Sequence, residues 1–226
     1  MEDKPETIKP AEKTAEQGIN KVVYVVMGIA LFAVVLFILV PNINLSDDFT
    51  YKSPSGEGFD FVTGYVGKIP VYTLKLLASY GDKLTRQYEI PLRNKPKDLE
   101  NIPVEDRVKS KILSSQGIFI TLDPELDQKA TIAGIQLAKV LGTADYGVFK
   151  IPTQGAFTQP INTTNQSAYP VKTCQDATSD IRVIQLTLGR ENKAYIENNC
   201  IIIEATDTEN LIKVSEKVVL RLLGVM

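Results

Sequence analysis

The chain has 226 residues, is 44% hydrophobic, and carries 25 Lys+Arg against 27 Asp+Glu for a formal net charge of −2. With no basic run and charges near balance, it lacks the electrostatic footprint of a nucleic-acid binder, so no nucleic-acid partner is expected. It also has no histidine, which excludes Ser-His-Asp and Cys-His nucleophilic machinery and removes the commonest zinc ligand. Carboxylate, lysine and tyrosine chemistry remain, and neither cofactor nor metal is expected.

Residues 1–21 begin with a charged, Pro-containing segment almost free of large apolar side chains, which reads as a disordered cytoplasmic tail. Val22 to Val40 is an unbroken apolar run without a charge, closed by Pro41. About 20 apolar residues are needed to cross a hydrocarbon core as a helix, so 22–40 is expected to be a transmembrane helix and a contact with the membrane. The apolar region is too long for a cleaved signal peptide and no A-x-A site follows it, so an uncleaved signal anchor fits better. A pilin-like leader fits badly, because Lys21 lies just inside its mature helix.

Direction follows from the lysines. Lys4, Lys9, Lys13 and Lys21 precede the run, whereas Lys52 is the only basic residue in the first stretch after it. The expected localisation is therefore the cell membrane, single-pass, with the N-terminus cytoplasmic and the C-terminal domain extracytoplasmic.

Residues 41–58 have turn-forming composition and read as a juxtamembrane linker; 59–226 is long enough for one domain with its own core. Val71 to Ala78 and Leu84 to Leu92 read as a hairpin around Tyr80-Gly81-Asp82. Val104 to Leu113 reads as a helix, and Ile118 to Leu122 as a strand. Asp123 before Pro124 is a plausible cap for a helix ending at Gly142, with Gly147 to Ile151 as the next strand. Pro152 to Ser179 is polar and irregular. Ile181 to Leu188 and Ala194 to Glu204 then form an expected second hairpin, and the run Ile201-Ile202-Ile203 marks a strand covered on both faces. Thr206 to Glu209 has capping-box spacing before a last helix, which turns Leu211, Val214, Val218 and Leu222 inward and Lys213, Glu216, Lys217 and Arg221 to water. The expected fold class is α/β: an N-terminal transmembrane helix followed by one mixed-sheet domain with helices packed on the sheet.

Cys174 and Cys200 are the only cysteines. In an oxidising compartment they suit a disulfide worth about 3–4 kcal/mol by loop closure; two buried free thiols are the alternative. Asn162 and Asn165 head glycosylation sequons in one polar loop. Asp176 and Asp180 are loop carboxylates beside Cys174 and weak candidates for a binding site, with turn formation as the ordinary explanation. Tyr51, Tyr65, Tyr72, Tyr80 and Tyr88 could form a binding surface, with strand packing as the default.

The run ITLDPEL (Ile120 to Leu126), the segment TCQDATSD (Thr173 to Asp180) and the ending Asn198 to Val225 resemble single-pass membrane-anchored proteins of small-celled archaea. The strand-then-helix ending is also distantly similar to the closing unit of archaeal surface-layer proteins. This resemblance covers roughly the C-terminal half, brings no catalytic residues, and implies an archaeal surface protein in which the two cysteines are bridged. The expected function is a cell-surface protein that binds or positions another envelope component without catalysis. The alternatives are a structural subunit of a surface filament or lattice, and a carboxylate-dependent extracytoplasmic enzyme.

Overall fold

A computed structural model describes residues 48–80, 84–143, 147–160 and 169–226. The apolar run Val22 to Val40, the tip of the first hairpin and both sequon asparagines lie outside these residues. Among the described residues, no helix is long and apolar enough to cross a membrane. What they form is a mixed α/β unit with two sheets, within a compact body spanning Ser46–Met226.

The first sheet is an antiparallel meander of β1 (Phe49–Lys52), β2 (Gly58–Val66), β3 (Ile69–Tyr80) and β4 (Leu84–Leu92) in chain order. The expected first hairpin is β3–β4, in the register Leu74↔Ile90 and Leu76↔Tyr88. Strand periodicity decides which face is covered: Phe59 and Phe61 on β2, Leu74 on β3 and Tyr88, Ile90 and Leu92 on β4 alternate into the core. β1 falls within the stretch whose turn-rich composition reads as linker. Its turn to β2 closes through Ser53 N donating to Glu57 O and Gly56 N to Ser53 O, with Gly56 at φ +89°.

Two short helices follow, α1 (Pro96–Leu99) and α2 (Arg107–Leu113). The second is shorter than its apolar spacing suggests. Val104 instead makes a bridge with Ala194, and the helix starts after Asp106.

The second sheet has the order β6-β5-β7-β9-β8, from β5 (Gly117–Leu122), β6 (Thr153–Phe157), β7 (Ile181–Leu188), β8 (Lys193–Glu197) and β9 (Cys200–Ala205). Three pairings are parallel and only β8–β9 is antiparallel. β9 lies between β7 and β8, and Ile201, Ile202 and Ile203 are all buried, as the unbroken isoleucine run requires.

Three sequence expectations fail here, each for a local reason. Ala194 to Glu204 is two strands rather than one: the chain reverses at Asn198-Asn199, with Asn198 in the left-handed region at φ 56°, which asparagine tolerates. β7 therefore pairs with β9 in parallel and does not form a hairpin with its successor. Gly147 to Ile151 is not a strand, because its N–H groups serve helix α3 (Gln128–Leu141). Val148 N and Phe149 N donate to Val140 O, and Ile151 N to Leu141 O, satisfying carbonyls that the helix end leaves open. The strand is β6, whose exposed edge position permits its polar residues. Finally, Asp123 is a turn residue accepting from Glu125 N, and the cap of α3 is Asp127, which accepts from Lys129 N and Ala130 N.

Helix α4 (Thr208–Leu222) is capped by Asp207 through Asn210 N rather than by Thr206. It packs beside α3 on one face of the second sheet, and Asp127 Oδ2 accepts from Thr208 Oγ1 to join the two helix starts. The inward face of the meander joins the same core, so these helices are covered from both sides. The opposite face of the second sheet carries a smaller core of Val183, Cys200 and Ile202, flanked by Phe119 and Tyr195 of the same sheet and by Cys174 and Ala177.

Candidate functional site

Cys174 and Cys200 form a disulfide with a sequence separation of 26. Its position follows from the sheet: Cys200 starts β9 with its side chain on the face away from the helices, and Cys174 opens a single 3-10 turn lying over that face. The bridge thus pins part of the Pro152–Ser179 segment as the lid of the smaller core. Thr121 Oγ1, buried in β5, donates to Lys172 O and anchors the same segment.

Asp176 sits within this lid. Its carboxylate accepts from Thr173 N at 2.8 Å, Thr173 Oγ1 at 3.3 Å and Lys172 Nζ at 3.2 Å. Those donors, the Thr173 backbone N–H first, hold its pKa below the usual carboxylate value. Asp180 is oriented otherwise, its carbonyl accepting from Gln116 N and its carboxylate from Ser179 Oγ. The two carboxylates therefore serve separate turn contacts. Among the described residues no group of three Asp, Glu or Cys side chains could hold a metal ion.

The tyrosines do not make one surface. Tyr88 is buried, Tyr51 and Tyr72 pack against the core, and Tyr65 stands out at 71% exposure. Tyr65 belongs to a feature that periodicity does not reveal. β3 pairs with β4 only from Tyr72 onward, and β1 pairs with β2 only as far as Phe61. Gly64 to Val66 and Ile69 to Val71 therefore run on as a two-stranded end, turned by Gly67-Lys68 with Gly67 at φ +64°. Val66 (70% exposed) and its cross-strand partner Ile69 (47% exposed) share one face beside this turn, and Tyr65 stands on the other.

A second feature lies on α4. The expectation that Glu216 and Lys217 face water is wrong: they are 0% and 7% exposed, because the β4–α1 connection meets Glu216 and the end of α1 meets Lys217. Glu216 accepts from Arg93 N at 2.6 Å, Asn94 N at 3.1 Å and Asn94 Nδ2 at 2.8 Å. Burial pushes its pKa up to about 7, and these donors limit the rise.

Lys217 opens onto a cavity of about 630 Å3 lined by Tyr51, Lys52, Ser53, Glu100, Arg221 and Met226 among others. Its Nζ donates to Glu100 O at 3.2 Å and approaches Met226 Sδ at 3.3 Å. Burial, and then the neighbouring Arg221 charge, hold its pKa below the usual lysine value, while Glu100 opposes them. Arg221 donates to Val104 O and to the Asp106 carboxylate. In comparisons with known proteins, no family model, curated protein or solved structure matches this chain.

Proposed function

We propose that the chain is a membrane-anchored, extracytoplasmic cell-surface protein whose outer domain binds or positions another protein of the envelope, without catalysing a reaction. The observation that carries the binding role is the apolar hairpin end at Tyr65, Val66 and Ile69. A two-stranded ribbon without flanking strands gains little from its own packing. Fully burying a large apolar side chain is worth about 1.5–3 kcal/mol, of which these three, about half exposed or more, forgo a good part in the isolated domain. Grouped apolar side chains around one exposed turn suit a protein interface better than they suit folding.

The address rests on sequence: the apolar run Val22 to Val40 and the lysine asymmetry around it. The disulfide supports it, since such bonds persist in oxidising compartments and are rare where thiols are kept reduced. The resemblance of the C-terminal half to membrane-anchored archaeal proteins points the same way. A non-catalytic role is supported by Glu216, among the described residues the carboxyl whose pKa is strongly raised, whose partners are amides rather than a second carboxylate.

The test is purification of the full chain from its membrane in mild detergent, with Val66→Asp as the comparison. The reading expects a second envelope protein to accompany the wild type and to be lost from the variant. Recovery of the wild type alone argues against it. Recovery of copies of the chain itself, lost in the same variant, supports a filament or lattice subunit instead.

A further inference from the structure

We propose that the cavity around Lys217 and Arg221 is a binding site for a phosphate group. The argument starts from an imbalance of charge. Lys217 is 7% exposed, and an ammonium has three N–H donors to satisfy. It has a backbone carbonyl at 3.2 Å and a thioether sulfur, a weak acceptor, at 3.3 Å. Among the described residues no carboxylate lies within ion-pair distance of it. A buried charge without a partner is costly, and a ligand anion is the natural partner for this one.

The other lining groups add positive charge rather than remove it. Arg221 reaches a carboxylate only at Asp106, whose side chain is 95% exposed and thus well screened by water. Lys52 is exposed at the same cavity. The lining side-chain carboxylate, Glu100, already accepts from Tyr51 OH at 3.2 Å. Three cationic side chains against Glu100, already engaged by Tyr51, and the water-screened Asp106 favour a ligand with more than one negative oxygen. Guanidinium and ammonium together are the usual holders of a phosphate. The cavity opens broadly to solvent, so a phosphate seated there could carry an attached group. A bound anion would also offset the burial, and then the Arg221 charge, that hold the Lys217 pKa down.

A phosphate can come from a soluble ligand or from a lipid headgroup, and one readout separates them. The chain has three methionines, and Met226 touches Lys217 through its sulfur, so its methyl resonance in a ¹³C-methionine spectrum reports on the cavity. The full chain, placed in phosphatidylcholine nanodiscs, is titrated with inorganic phosphate and, in a parallel sample, with chloride at matched ionic strength. The Met226 signal is expected to shift saturably with phosphate and not with chloride. Lys217→Gln should weaken the response about tenfold or more, whereas Lys217→Arg should retain most of it. A headgroup source is indicated if nanodiscs containing phosphatidylglycerol already show the shifted signal, again lost in Lys217→Gln. A phosphate response confined to the soluble titration indicates a soluble ligand. A Met226 signal unmoved by both, or moved equally in Lys217→Gln with the remaining spectrum unchanged, overturns the proposal.

Discussion

Glu216 and Lys217 are neighbours on α4, carry opposite charges, and are both almost sealed from water, yet their surroundings differ in kind. The glutamate is held by three N–H donors from Arg93 and Asn94, so its environment is complete and joins the C-terminal helix to the end of the meander. The lysine has one carbonyl, one sulfur and a cavity. A buried carboxyl whose oxygens all have donors from the protein is part of the fold, even where burial disfavours its charge. A buried charge that faces a cavity with its donors partly unmet is a candidate for a ligand. Burial alone does not separate the two; the count of partners does.

The sharpest way to break this comparison is to remove each side chain in turn. Glu216→Ala leaves three part-buried donors without their acceptor and should cost about 3 kcal/mol, read as a fall in the chemical denaturation midpoint at unchanged slope. If the loss is only a few tenths of a kcal/mol, water replaces the carboxylate and the contact is not structural.

The pH dependence comes next. The folded pKa of Glu216, about 7, lies above the usual glutamate value. The group's contribution is therefore fully present below about pH 4.5 and is lost as pH rises through about 7, by up to about 3 kcal/mol. Denaturation curves of the wild type should show stability falling between about pH 4.5 and 7 relative to Glu216→Gln, which has no proton to lose. Parallel curves for the two proteins would mean that the donors keep the carboxylate ionised throughout.

Lys217→Met should behave differently from either change at Glu216. Replacing a poorly compensated buried charge with an apolar side chain of similar reach should alter stability by about 1 kcal/mol or less, and in the stabilising direction. A loss as large as that of Glu216→Ala would make Lys217 a fold residue and remove the contrast. The smallest expected stability effect is at the hairpin end, where Val66→Asp should stay within about 0.5 kcal/mol of the wild type. Its consequence should be confined to partner recovery.

These two residues also show where the sequence stops informing. The spacing of Leu211, Val214, Val218 and Leu222 places one face of α4 on a sheet correctly. Glu216 and Lys217 then look like a solvated face, because periodicity describes a helix covered on one side and this one is covered on two. The isoleucine run in β9 is legible because a strand between two neighbours must be apolar on both faces. The β8–β9 turn is hidden, since two asparagines between apolar residues resemble a polar interruption in one long strand. β6 is misplaced for the opposite reason: the apolar residues before it cap a helix, while the edge strand itself is polar. The cysteine pair gives the bridge. No pattern announces the cavity, because its lining comes from β1, the β1–β2 turn, the α1 region and α4, which only the fold brings together.

The most direct test of the proposed function is photo-crosslinking in intact cells with a photoreactive residue at position 66. Membrane-impermeant labelling of the same residue would report its side of the membrane. An outside-facing partner protein predicts surface labelling together with one discrete cross-linked adduct to another envelope protein. Position 66 shielded from the impermeant label, with adducts only to cytoplasmic proteins, would contradict both the address and the role.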